Sequence, residues 1–158
     1  AARVREWALN KEYLMPLVPL VRSRISVLSD LGPLTAPFFS GIVEITLEQL
    51  LEGKLDRDTI SVALELALQR IEGLEWNKAE IENMLRDLAT LTTIKFRDFL
   101  RPFFIVIAGS PVSVPLFDAM EILGRDLCRA RLRHALVLVG KPQTAEKRNW
   151  LKTLLQAG

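Results

Sequence analysis

At 158 residues, 49% hydrophobic and 25% charged, the chain is sized for one domain, or for two small subdomains sharing a core, and lies clear of the disordered range. Its longest apolar run, Phe103 to Ala108, falls far short of the roughly 18 residues of a membrane span. One cysteine and one histidine exclude an internal disulfide and a Cys/His zinc site. The net charge of +2 conceals a split: residues 1–28 carry net +3, residues 29–94 net −7 and residues 95–158 net +6. Basic ends around an acidic middle would give an electropositive face suited to a polyanion. Uneven charge by chance in a small domain is the other reading, and charge alone does not choose between them.

In chain order, the opening Ala-Ala-Arg-Val-Arg-Glu-Trp is helical in character, with no initiator methionine and no leader pattern, and reads as the start of a piece of a longer protein. Tyr13 to Leu28 is expected to be helical, with Pro16 near its start, Pro19 marking a kink or a later start, and Ile25 and Leu28 buried. Gly32-Pro33 and Pro37 place a subdomain joint at residues 32–42, and Gly41 to Thr46 is the one stretch with any two-residue alternation. After a turn at Gly53-Lys54-Leu55-Asp56, the stripe Ile60, Ala63, Leu64, Ala67, Leu68 and Ile71 has helical period, opposite Asp58, Ser61, Glu65, Gln69 and Glu72, with Gly73 as a stop. Asn77 and Glu80 form a capping-box arrangement before a helix with Ile81, Met84, Leu85, Leu88 and Ala89 on one face. The acidic stretch from Ile42 to Glu82 reads as scaffold. Phe96 to Ala108 is an apolar helix ended by Gly109-Ser110-Pro111. Ser113 can cap the next helix, with Pro115 in its first turn, and Gly124 joins that helix to one striped with arginine. Gly140-Lys141-Pro142-Gln143 separates a last helix, Thr144 to Leu155. About eight helices with short connections and no internal repeat make an all-α, multihelical fold.

Signatures of catalysis are missing. Gly109 and Gly124 are isolated, so there is no glycine-rich phosphate loop, and no serine or cysteine has a histidine at a recognisable spacing. Cys128 lies on the apolar side of its helix with Leu132 and Leu136 and reads as an inert core thiol; His134 is either a surface residue or a phosphate contact. Trp7, Trp76 and Trp150 are too widely spaced for a stacking platform and read as packing. The physical signal for binding is Arg125, Arg129 and Arg133, at i, i+4 and i+8 along one helix edge, while Arg131 points elsewhere into a structural role. Guanidinium forks in a row suit phosphate oxygens. With Asp126 and Glu121 as the only acids nearby, neutralisation within the chain looks incomplete. A solvated basic face remains the alternative.

Three blocks in order carry a family resemblance. The first is Arg22-Ser-Arg24-Ile-Ser-Val-Leu28 followed by Pro37-Phe38-Phe39; the second is Arg101-Pro102 leading to Ala108-Gly109-Ser110; the third is Pro115-Leu116-Phe117, Leu123-Gly124-Arg125 and the arginine helix. In this order they resemble the C-terminal end of bacterial glutamyl-tRNA synthetases, class I aminoacyl-tRNA synthetases, over roughly Tyr13 to Leu138. The resemblance implies a first anticodon-binding helical bundle at residues 1–40, an α-helical cage at 41–139 and an extension at 140–158 to which it gives no role. It implies that Arg24 reads the third anticodon base and that Leu116 packs on a base. Arg101, Phe104 and Ser110 would also face the anticodon, with Arg22, Arg125, Arg129 and Arg133 on the tRNA backbone. Phe104 stands where the family usually carries an arginine that contacts the anticodon loop, and Arg101 could partly substitute for it. By the same resemblance a monomeric, cytoplasmic parent charges glutamate tRNA using ATP and Mg²⁺, with neither DNA nor a membrane as partner, while this piece holds no catalytic, cofactor or metal residue. Two competing readings are a helical protein-interaction domain whose arginine edge docks an acidic partner, and a stand-alone regulatory RNA-binding domain.

Overall fold

The computed structural model describes residues 10–111 and 113–157, which places Trp7 outside the described residues. Among them there are helices and irregular connections but no strand, as the periodicity predicts. The elements are α1 (Lys11–Leu14), α2 (Leu17–Arg22), a 3-10 turn (Leu28–Asp30), α3 (Leu31–Phe39), α4 (Leu47–Leu51), α5 (Arg57–Arg70), α6 (Lys78–Leu91), α7 (Phe96–Ala108), α8 (Leu116–Leu123), α9 (Arg125–Val139) and α10 (Ala145–Gln156).

The middle and end of the chain follow the expected pattern closely. Asp56 caps α5 by accepting from the Thr59 N–H at 2.7 Å, and Asn77 caps α6 by accepting from Glu80 at 2.9 Å. Ile60, Ala63, Leu64, Ala67 and Ile71 are buried, as are Ile81, Met84, Leu85, Leu88 and Ala89. The face of α5 expected in solvent is not free, however. Ser61 is fully buried and donates to the Gly140 carbonyl at 2.7 Å. Asp58 accepts from the backbone N–H groups of Gln143 and Thr144, each at 3.0 Å, and these bonds hold its carboxyl below the usual range. Lys147 reaches Thr59 at 2.9 Å. The segment after Val139 therefore folds back, and α10 lies along α5 with Leu154 buried in the seam.

The first forty residues depart from expectation. Helix does not run from Tyr13 to Leu28: it pauses at Met15-Pro16, restarts at Leu17 with Pro19 in the first turn, and ends at Arg22. Asp30 explains the stop. Its carboxylate accepts from Ser26 N–H at 2.9 Å and Val27 N–H at 3.1 Å, a local bond that competes with continued helix and starts the 3-10 turn. Leu28, expected in the core, is 85% exposed. Helix α3 occupies residues 32–39 of the expected joint at 32–42, since Pro33 sits in its first turn, where the missing N–H has no partner to lose. The irregular stretch begins at Ser40, inside that joint, and runs to Thr46 without forming a strand. Ser113 does not cap α8. Pro115 biases Val114 towards extended backbone, and the helix begins at Leu116 with no side-chain cap.

Helix α7 passes through the middle of the body, packing on α4, α5, α6, α8 and α9. Phe99 and Phe103 are fully buried on it, ring centroids 5.3 Å apart; truncating either to alanine is expected to remove about 3–5 kcal/mol of stability. Leu17, Val21 and Phe38 from the first helices and Leu154 from the last belong to the same buried cluster.

Candidate nucleic-acid interface

The polar face of α7 carries Arg97, Arg101 and Phe104 at i, i+4 and i+7, so they line one side of the helix. With Gly53 and Lys54 from the turn before α5, and with Pro111, they enclose a cleft of about 630 Å³. Arg101 lies flat over Gly53, where a Cβ would stand 3.0 Å from its Cδ. The cations are partly balanced: Lys54 meets Asp98 at 3.3 Å, and Arg101 only brushes Glu52 at 3.5 Å. Arg101 Nη1 is buried and has no hydrogen-bond partner. The ring of Phe104 is half-buried in the cleft wall. A groove with exposed Arg97 and Lys54 and one aromatic face offers what an unstacked nucleotide uses, a π-surface and phosphate donors.

Gly109 closes α7 in the left-handed conformation, φ 75°, its N–H donating to the Ile105 carbonyl at 2.7 Å. A Cβ here would lie 2.6 Å from Val43 Cγ1, so glycine is required by both conformation and space. Across the Gly109–Pro111 turn is a second cleft, of about 510 Å³, between Pro33, Ala36, Pro37 and Ser40 on one side and Ala108, Gly109 and Ser110 on the other. Arg22 and Arg24 stand exposed at the end of α2 and in the turn after it, and α2 packs on α3, which forms the first wall of this cleft.

Arg101, Phe104 and Ser110 are thus brought together along α7 and its C-terminal turn, with Arg22 and Arg24 one helix away. Leu116 is not. It is 3% exposed, and its neighbour Phe117 stacks on Phe96, centroids 6.3 Å apart, at the opposite end of α7 from Gly109, about 18 Å along the helix. Leu116 sits in the core here and presents no face to a base. Phe117 is half-buried in that stack, beneath which Arg86 lies 4.2 Å from the Phe96 ring.

The arginine edge is engaged within the protein, which corrects the expectation of incomplete neutralisation. Arg129 grips Glu72 in a two-pronged ion pair, 2.6 and 2.8 Å, and adds Asp126 at 2.6 Å; the two carboxylates raise the guanidinium pKa, and the guanidinium in turn lowers that of Glu72. Arg125 donates to the Leu74 carbonyl and faces the Trp76 ring at 5.7 Å. Trp76 in turn donates to the Met120 carbonyl at 3.2 Å, a packing role. Glu72 is distant from the arginines in sequence, and adjacent-residue reasoning missed it. Arg133 alone of the three is exposed.

Arg131, about 200° around α9 from the centre of that edge, is 1% exposed and structural as expected. Among the described residues it has no carboxylate partner. Its guanidinium donates to the carbonyls of Gly41 (2.8 Å), Ser40 (2.7 Å), Pro37 (2.5 Å) and Ile107, and burial draws its pKa down from the usual arginine value. Cys128 is buried, its thiol pushed up to about 12, and it is unreactive at neutral pH. Among the described residues no group of three or more His, Cys, Asp or Glu is arranged to hold a metal ion, and no helix is long and apolar enough to cross a membrane.

The model of the anticodon binding domain family matches residues 1–136. The chain belongs to this family. It is 42% identical over 153 residues to the glutamate–tRNA ligase of a Marinomonas species, covering 96% of this chain and 31% of that protein. It is 38% identical over 159 residues to the ligase of Stutzerimonas stutzeri, covering 100% of this chain and 32% of that protein. A solved glutamate tRNA ligase from Elizabethkingia meningosepticum shares the fold at a TM-score of 0.73 and 15% identity, over 84% of this chain and 26% of that one. The chain spans about a third of the length of the curated relatives it matches. The resemblance to the anticodon-binding region of glutamyl-tRNA synthetases, read from three short blocks, stands. The arginine helix lies inside the matched region, and the tail from residue 137 onward lies outside it.

Proposed function

We propose that this domain reads the anticodon loop of glutamate tRNA as part of a glutamate–tRNA ligase, whose remaining two-thirds activate glutamate with ATP and Mg²⁺ and charge the tRNA, acting as a monomer in the cytoplasm without DNA or membrane partners. The observation that carries the reading is the anticodon-binding family match across residues 1–136, joined to glutamate–tRNA ligases that align along nearly the whole chain. The groove along α7 is the physical counterpart. Phe104 offers a stacking face, while Arg97, Arg101 and Lys54 offer donors to phosphates or base edges.

In this reading Arg24 discriminates the third anticodon base: its fork matches a pyrimidine carbonyl edge and is mismatched to guanine. Arg22 and Arg133 are exposed and available to phosphates, whereas Arg125 and Arg129 hold the α5–α6 connection. The arginine edge as a dock for an acidic partner is disfavoured for the same reason: Arg129 already holds two carboxylates. The test is binding of the 158-residue chain to a transcribed glutamate tRNA and to the same tRNA with an altered anticodon. Equal affinity for both would refute anticodon reading; tight, salt-sensitive binding of an acidic protein, lost in Arg133→Ala, would favour the dock.

A further inference from the structure

Arg131 answers a structural question that the anticodon reading leaves open: what holds the α3 side of the second cleft against the α7 side. Beyond α3 the chain is irregular from Ser40 to Thr46, so no sheet or helix pairing fixes it. Two of the carbonyls that Arg131 binds, Pro37 and Ser40, belong to residues lining one wall; a third, Gly41, follows directly. The fourth, Ile107, precedes Ala108 and Gly109 of the opposite wall. One buried guanidinium therefore ties the backbone of one wall to the residue that leads into the other. Tyr13 adds a bond on the same side, its hydroxyl donating to the Phe38 carbonyl at 2.6 Å.

The residue type fits the task. A buried cation without a carboxylate partner is tolerated only when its donors are satisfied, and a planar five-donor fork can bind several carbonyls at once where an ammonium cannot match the geometry. A hydrophobic residue of similar length would leave four carbonyls to find other partners. Nothing in this arrangement needs arginine for solubility or for outward charge, since the group is out of solvent.

We propose that Arg131 is a positioning residue for base discrimination: it pins the α3 segment, and through it the Arg22–Arg24 turn, to the Gly109 turn, so that the two sides of the anticodon surface are held at fixed separation before RNA arrives. The proposal rests on the anticodon reading for its functional half, whereas its mechanical half stands without RNA. Loss of the clamp should leave charge-driven binding in place, because Arg22, Arg97 and Arg133 are untouched, and should reduce the preference for the cognate anticodon.

The experiment has two arms on the full 158-residue chain. In the first, spin labels at Ala36→Cys and Pro111→Cys report the wall-to-wall distance; buried Cys128, with its raised pKa, stays unlabelled. Wild type should give one narrow distance distribution, and Arg131→Lys and Arg131→Met progressively broader ones. An unchanged distribution in both variants overturns the proposal. In the second arm, cognate and altered-anticodon tRNAs are compared for wild type and Arg131→Lys, chosen because it keeps the charge and folding can be checked by circular dichroism. The cognate preference should fall about tenfold, near the lower end of what one bidentate base contact contributes, while affinity for the altered tRNA and its salt slope stay the same. A preserved preference with broadened walls overturns the functional half alone; absence of any preference in wild type refutes the anticodon reading and leaves the distance arm to decide the clamp.

Discussion

Replacing Gly109 by alanine tests the geometry on which both clefts depend. Two separate penalties arise at this position. The backbone is at φ 75°, where an L-residue with a Cβ is less stable by roughly 1–2 kcal/mol. The added carbon would also lie 2.6 Å from Val43 Cγ1, inside the 3.0 Å that real Cβ atoms respect. Val43 is half-buried against the core, so relief requires either a rotamer change or displacement of the Ser40–Thr46 segment, and forced overpacking of this kind costs about 1–3 kcal/mol. Together the change should destabilise the chain by about 2–5 kcal/mol, which for a domain of this size lowers Tm by roughly 4–20 °C. Urea unfolding of wild type, Gly109→Ala, Val43→Ala and the double variant separates the two terms. In the double variant the steric part disappears, so the pair should be non-additive by about 1–3 kcal/mol while the backbone part persists. A Gly109→Ala chain within about 0.5 kcal/mol of wild type, or strict additivity with Val43→Ala, would refute the close approach of the Ser40–Thr46 segment to the α7 turn.

Arg24→Gln should move stability by no more than about 0.5 kcal/mol, since the side chain is exposed in a turn. In the full-length enzyme it should lower the glutamate-tRNA to glutamine-tRNA ratio of kcat/KM by a factor corresponding to roughly 1–3 kcal/mol, and an unchanged ratio means Arg24 is not the reader. Arg97→Ala and Lys54→Ala should each reduce the slope of log affinity against log salt by roughly 0.7–0.9 per lost phosphate contact. Arg129→Ala should leave that slope unaltered while loosening the Glu72 end of α5, and the reverse pattern would put the RNA backbone on the arginine edge. Asp58 has its carboxyl pKa lowered in the folded chain, so the bonds to Gln143 and Thr144 contribute stability above the ordinary carboxylate value of 3.8 and lose it as pH falls through the lower folded value. An NMR titration should show the Gln143 and Thr144 amides shifting together in acid, and Asp58→Asn should remove that step; identical titrations in the two chains would refute the latch.

Helices whose order is set by local pattern were legible in the sequence. The stripes of α5 and α6, the Asn77 cap, the Gly109 and Gly124 breaks and the last helix all follow from period and capping chemistry within a dozen residues. What escaped was decided by groups far apart in the chain. Ser61 looks polar and solvent-facing in a helical projection, yet a tail some eighty residues later covers it. Arg129 looks only partly paired, with Asp126 as its one near acid on the helix, until the α5–α6 connection delivers Glu72. Leu28 looks like a core position only if the helix continues, and Asp30 stops it.

The same division runs through the candidate site. Arg101, Phe104 and Ser110 could be placed together because they lie on one helix and its C-terminal turn, and Arg97 carries the same spacing signal one turn earlier. Lys54 joins the cleft across 43 residues from Arg97, with no local signal at all. The arginine row drew notice because basic residues at i, i+4 and i+8 face one way, but facing one way does not mean facing solvent. On α9 the edge packs toward the α5–α6 connection, and the arginine off that register, Arg131, is the one that bonds the backbone of the cleft walls, while itself buried. Charge pattern thus located the helix that matters and misassigned its faces. Among the described residues Arg22, Arg24 and Arg97 are exposed and held by no carboxylate, and they lie on the first turns and α7, where the anticodon reading requires cations; exposed Arg133, Lys141 and Lys152 are likewise unpaired but lie on α9 and in the tail.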